Sequence, residues 1–302
     1  GIRGRGRLIC IINGKNINIQ GLKIENAPCW TIHYIYCKNV VLHDLNIIST
    51  ARNGDGIDPD SSLDSYIFNC TFSTGDDCIA IKSGKNPEGY FIGKPTKNIR
   101  ITDCDFVKGH SLAIGSEMSG GAKNLYVSNC TFIGTDIGLR FKTTRGRGGV
   151  VEKIYINNIN MKDIVGEAIL FDMYYAAKDP VPLADEKREP PVVEFKKVDE
   201  TTPVFKDFFV KNVVCNGAEK AIFIRGIPEM QIKNINLENM VLQAKKGIDI
   251  QEASDVNIKN VTLVTKEANP VAYVLNSSNI LFDRIKYNAG AELLLQVQGE
   301  RT

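Results

Sequence analysis

Four short stretches in the first half of the chain carry residues able to move protons and hold anions. They are Asn53-Gly54-Asp55, Gly75-Asp76-Asp77-Cys78, Gly109-His110-Ser111 and Arg140-Phe141-Lys142. They supply carboxylates, an imidazole and fixed cations. Carboxylates crowded together repel one another, so at least one binds its proton more tightly and becomes a donor beside a base. Acid/base cleavage of a glycosidic bond needs that pair, with about 6.5–9.5 Å between the carboxyls when a water attacks with inversion. The cations suit a substrate bearing carboxylates, Arg by paired hydrogen bonds and Lys as a point charge. Taken singly, each residue has a plainer reading: Asp beside Gly forms turns, a lone His is structural, and Arg and Lys on a strand form a solvated face. Only a fold that gathers the four stretches gives them joint meaning.

A nine-residue pattern repeats along the chain: a polar residue, an apolar/any/apolar triplet, two polar or turn-forming residues, and an apolar/any/apolar close. Copies begin at Asn16, Asn39, Asp64, Asn98, Asn124, Lys153, Asp207, Glu229, Asp255 and Asn279. Alternation with period two means strand, and the Asn or Asp common at the sixth position marks a sharp bend. Repeats of about 25 residues indicate a solenoid. Most copies are followed by a second short strand, such as CIAIK (78–82), SLAIG (111–115) and GLRFK (138–142). The expected fold is all-β: a right-handed parallel β-helix of about ten coils, three short strands each, with no convincing helix. One domain, 1–302, is expected, interrupted by a Pro- and charge-rich insertion at 173–206 that could wall a cleft.

Aligning the second strands on their apolar residues places Ile57, Ile79, Leu112 and Leu139 in one line, and Asp55, Asp77 and His110 in another. Adjacent strands stand about 4.8 Å apart, so the three polar side chains start one strand spacing from each other. Asp76 points differently from Asp77. Arg140 and Lys142, two residues apart, share a face, and Lys82 aligns with Lys142 and extends the basic surface. Asp58 and Asp60 tempt a calcium assignment, but no bidentate ligand loop accompanies them, so turn stabilisation is expected and no metal site. His33 and His43 are read as structural residues of strands.

A net charge of +2 gives no reason to expect nucleic acid. No apolar stretch reaches the roughly 18 residues of a membrane span. Cys70, Cys104 and Cys130 occupy the same slot of successive repeats and are expected to form an interior ladder of free thiols. The chain opens almost directly into a strand, which suggests that a leader, cap and first coils precede it.

The stretches NGDGIDPDSS, GDDCIAIKSG, GHSLAIGSEMSGG and RFKTTRGRGG resemble glycoside hydrolase family 28, the polygalacturonases and their relatives, particularly bacterial members. The resemblance implies inverting hydrolysis of α-1,4-linked galacturonan on a right-handed parallel β-helix, without a cofactor. It implies that Asp76 is the general acid, that Asp55 and Asp77 activate the water, and that His110 maintains the protonation pattern. Arg140 and Lys142 would bind a galacturonate carboxylate, with Tyr174 or Tyr175 against a sugar. The partner would be an acidic polysaccharide, the protein a monomer, and its location extracellular or periplasmic. Two departures stand out: Asn-Gly-Asp replaces Asn-Thr-Asp, and Gly-His-Ser replaces Gly-His-Gly, where Ser111 is expected to narrow the site. The alternatives are pectate-lyase-like β-elimination, a rhamnogalacturonan-type hydrolase of the same fold, or a non-catalytic carbohydrate-binding solenoid.

Overall fold

In a computed structural model, residues 4–175 and 194–299 are described. The chain winds as a parallel β-helix. Among the described residues one sheet has eleven strands, including Ile32–Ile35, Ile57–Asp60, Ile79–Ile81, Leu112–Gly115, Leu139–Lys142 and Glu167–Asp172. Every pairing in it is parallel and joins successive coils. A second sheet of fourteen strands carries the nine-residue repeats. In the early coils the two halves of a repeat are separate strands, such as Thr96–Thr102 and Asp105–Lys108. Later they fuse into long bent strands such as Ala122–Ile133 and Val150–Lys162.

The expected bend at the sixth position is present, and a second bend stands at the first position. Asn98, Asn124 and Asp207 at the first, and Asp103, Asn129 and Asn212 at the sixth, all have φ between 53° and 59°. Left-handed backbone costs Asn and Asp least among residues with a Cβ, which explains their recurrence. Their side chains also bond from coil to coil: Asn124 Nδ2 donates to Asn98 Oδ1 at 3.1 Å, and Asn158 Nδ2 to Asn129 Oδ1 at 2.8 Å. The copy placed at Glu229 is shifted by five residues; its bends fall at Asn234 and Asn239, and Ile235 pairs with Val256. Among the described residues the helical exception to the all-strand expectation is one turn, Glu88–Ile92.

The interior is built from stacked side chains. Phe72, Phe106 and Phe132 form a ladder with ring centroids 5.3 and 4.4 Å apart. Cys70, Cys104 and Cys130 are buried and free, as expected of a thiol ladder. Of the insertion at 173–206, residues 176–193 lie outside the described residues. Its returning end is fastened by Arg145, which pairs with Glu229 at 2.5 Å and donates to the Glu194 carbonyl at 3.1 Å. The Gly148 amide also donates to the Thr201 carbonyl at 2.7 Å.

Candidate functional site

The register of the eleven-stranded sheet matches the alignment of its apolar residues. Ile57 pairs with Ile79, Ile79 with Leu112, and Leu112 with Leu139. The backbone ladder continues through the turns just before these strands. The Gly56 amide donates to the Asp77 carbonyl, the Cys78 amide to the Ser111 carbonyl, and the His110 amide to the Asp76 carbonyl at 2.8 Å. Asp55, Asp77 and His110 are therefore held on neighbouring coils. Gly109 permits the close approach: its φ is +125°, and a Cβ there would collide with the Thr74 side chain and the Asp76 carbonyl.

Asp76 and Asp77 diverge as expected. Asp77 is buried, and Lys142 Nζ contacts both its oxygens, at 2.7 and 3.0 Å. Asp76 is half-buried and faces His110, with Nδ1 3.2 Å from Oδ1. It also accepts the Asp77 amide at 2.9 Å. Burial pushes the Asp76 carboxyl up, but the His110 hydrogen bond and charge, the Asp77 amide and Lys142 overcome this and hold it at about 2. His110 is raised, first by its bond to Asp76, against burial, and further by Asp136. Asp55 is pushed up to about 6, chiefly by burial, with Lys82 opposing and Asp77 and Asp76 adding. Between Asp76 and Asp55, the carboxyl pushed up is thus Asp55. Desolvation leads the effect, and repulsion between the acids, the cause expected from the sequence, is secondary.

Lys82 corrects the expected basic surface. It occupies the same column as Lys142 and, like it, is almost wholly buried. Its Nζ stands 3.4 Å from Asp55 and 3.3 Å from Asp58, with the Trp30 ring over it at 4.3 Å. A cation neutralised by two acids beneath an indole offers little to a substrate. Asp58 is likewise no turn-forming surface residue; it is fully buried. Asp60 pairs with His33 at 3.2 Å and accepts the Gly84 amide at 3.1 Å. Ser111 does not narrow the site, because its buried hydroxyl donates to the Gly138 carbonyl.

Arg140 remains partly accessible and leans on Asp136 at 3.4 Å. The Tyr175 ring lies 5.8 Å from its guanidinium carbon and 5.0 Å from Lys142 Nζ, and the Tyr175 amide is tied to the Thr143 carbonyl. Tyr174 is buried against Arg225 and Arg145 instead. Of the two candidates, Tyr175 stands beside the basic pair.

Asp136 went unnoticed in the sequence. It lies 3.8 Å from His110 Nε2, so the imidazole sits between two acids. Burial raises its pKa against the pull of His110 and Arg140. Asp136 precedes Leu139 by three residues, as Asp76 precedes Ile79, so the spacing held a usable signal. Asp76, Asp77 and His110 offer atoms within 4.8 Å of one another. Those atoms already serve Lys142 and each other, which suits proton transfer better than a cation.

The family model for glycosyl hydrolases family 28 matches residues 3–207. A probable polygalacturonase of Vitis vinifera is 30% identical over 242 residues, covering 79% of this chain and 46% of its own. An endo-polygalacturonase of Pectobacterium parmentieri is 31% identical over 252 residues, covering 82% and 56%. A hyperthermoactive exopolygalacturonase from Thermotoga maritima superposes with a TM-score of 0.71 at 32% identity, over 80% of this chain and 50% of that one. The chain spans about half the length of the curated relatives it matches.

Proposed function

The chain belongs to glycosyl hydrolases family 28, and from that premise we propose that it hydrolyses α-1,4-galacturonosidic bonds of polygalacturonate with inversion. The observation that carries this reading is the grouping of Asp55, Asp76, Asp77 and His110 on adjacent coils beside Arg140, Lys142 and Tyr175.

In the free site the Asp76–His110 pair carries one proton, held on the imidazole, which is flanked by Asp76 and Asp136. A sugar seated on Asp76 displaces water and weakens the stabilisation of its carboxylate, so the proton crosses to Asp76 and then to the departing glycosidic oxygen. Asp77 and Asp55 orient a water on the opposite side and take up its proton. Arg140 binds a galacturonate carboxylate. Lys142 gives two of its three N–H bonds to Asp77, which leaves one for the substrate. Tyr175 supplies an apolar wall with a polar tip. Such a polymer is met outside the cytoplasm, so the proposal carries an extracellular or periplasmic monomer. Among the described residues no helix is long and apolar enough to cross a membrane.

The test is incubation with polygalacturonate, following new reducing ends and the first anomer formed by proton NMR. Saturated products of inverted configuration support the reading. Ultraviolet absorbance from an unsaturated product, abolished by chelators, would replace it with β-elimination. Binding without new ends would leave a carbohydrate-binding solenoid. Chromatography of the earliest products separates internal from terminal cleavage.

A further inference from the structure

We propose that Asp58 is a positioning residue for Asp55: their carboxyl groups share one proton, which Asp58 holds and donates, while Lys82 supplies the fixed counter-charge. Its catalytic meaning rests on the reading of Asp55 as a water-activating base, whereas the pairing rests on the burial of both acids and the placement of Lys82 against each.

Asp58 lies on the strand Ile57–Asp60 with no solvent exposure. Apart from the Lys82 ammonium 3.3 Å from Asp58 Oδ1, no donor completes a hydrogen bond to either Asp58 oxygen or to Oδ1 of Asp55. The two side chains are in hydrogen-bonding contact with each other. An ionised carboxylate can only accept, so two facing carboxylates would leave these buried oxygens orphaned. One O–H between them supplies the missing donor. Charge gives the same answer: two carboxylates outweigh the single ammonium of Lys82, 3.3 and 3.4 Å away, whereas one shared proton makes the buried trio neutral.

The surroundings offer no other source of charge balance. Asp55 faces Lys82, Asp77, Asp76 and Asp58, and Asp58 faces Lys82, Asp55 and the buried Tyr34 phenol, which is neutral. Its cross-strand neighbour His33 is turned to Asp60. Lys82 additionally feels Asp77 and Glu117. The proton belongs with Asp58, the more deeply buried of the two acids, because burial penalises its charged form most.

The experiment has two arms. In the first, carboxyl-carbon NMR of aspartate-labelled protein should show Asp58 protonated from acid pH to beyond neutrality. An Asp58 resonance that titrates near the ordinary value of about 4 would overturn the pairing. This arm reads the proton whether or not polygalacturonate is turned over, so it separates a failed pairing from a failed function.

The second arm compares pH–rate profiles. Asp58→Ala removes the donor, so the acidic limb should move up by about one pH unit, tenfold in rate at a fixed pH below it. Asp58→Asn restores an N–H donor and should return the limb towards its original position. A loss equal at every pH in Asp58→Ala, or a limb in Asp58→Asn displaced as far as in Asp58→Ala, would overturn the proposal. Should Asp58→Ala fail to fold, Lys82→Met serves, since removing the counter-charge should also move the limb upward and an unmoved limb would count against the trio.

Discussion

Lys142 grips Asp77 through both carboxylate oxygens, at 2.7 and 3.0 Å, and both side chains are almost wholly buried. The cation that the sequence assigns to substrate therefore also fixes one of the candidate bases. Lys142→Met should do more than weaken binding. It strands a buried charge, which costs about 3–5 kcal/mol of stability, and both kcat and KM on polygalacturonate should worsen. A denaturant midpoint equal to that of the unsubstituted protein would show that the pair carries no such burden.

Asp76→Asn keeps the shape and removes the proton donor. Turnover should fall about 10²–10⁴-fold with the circular dichroism spectrum unchanged. Near-full release of reducing ends would end the assignment of Asp76 as the acid.

The Asp76–His110 contact predicts a pH window for stability. Asp76 is depressed from 3.8 to about 2, so its contribution is present above the unfolded value and lost as pH falls towards 2. His110 is raised above 6.5, so its contribution is complete below that value and lost as pH rises through the folded pKa. His110→Ala should thus lower Tm most between about pH 4 and 6.5 and progressively less at alkaline pH. Asp55 acts oppositely: raised to about 6, it favours the folded state as pH falls through that value. A Tm difference that is flat from acid to alkali would mean the contact is not an ion pair in solution.

Tyr174 and Tyr175 should separate cleanly. Tyr175→Ala removes a wall beside Arg140 and Lys142 and should raise KM with little change in Tm. Tyr174→Ala empties a packed position and should lower stability by about 2–4 kcal/mol. The reverse pattern in paired kinetic and thermal measurements would exchange their roles.

Periodicity made the solenoid legible, because a period of two interrupted by left-handed Asn and Asp is written residue by residue. It also gave the column of Asp55, Asp77 and His110, since parallel strands in register carry sequence alignment directly into space. It could not show which side chains from other coils cover each residue. Lys82 and Lys142 occupy one column, yet Trp30, from a coil before Asp55, roofs only Lys82. Nor could it foresee that Asp58 would be sealed beneath Lys82, because burial depends on neighbours from other coils. Asp136 was readable by offset, although neither a directly adjacent glycine nor a second acid marks it.

The left-handed bends at Asn98 and Asp103 stand between the coil that carries Asp76 and the strand that follows His110. Because alternate residues of a strand face opposite ways, losing one residue between these bends would turn that rung inside out while its neighbours stayed seated. Small deletions there should thus act as all-or-none lesions, whereas added length in a loop between coils should be tolerated.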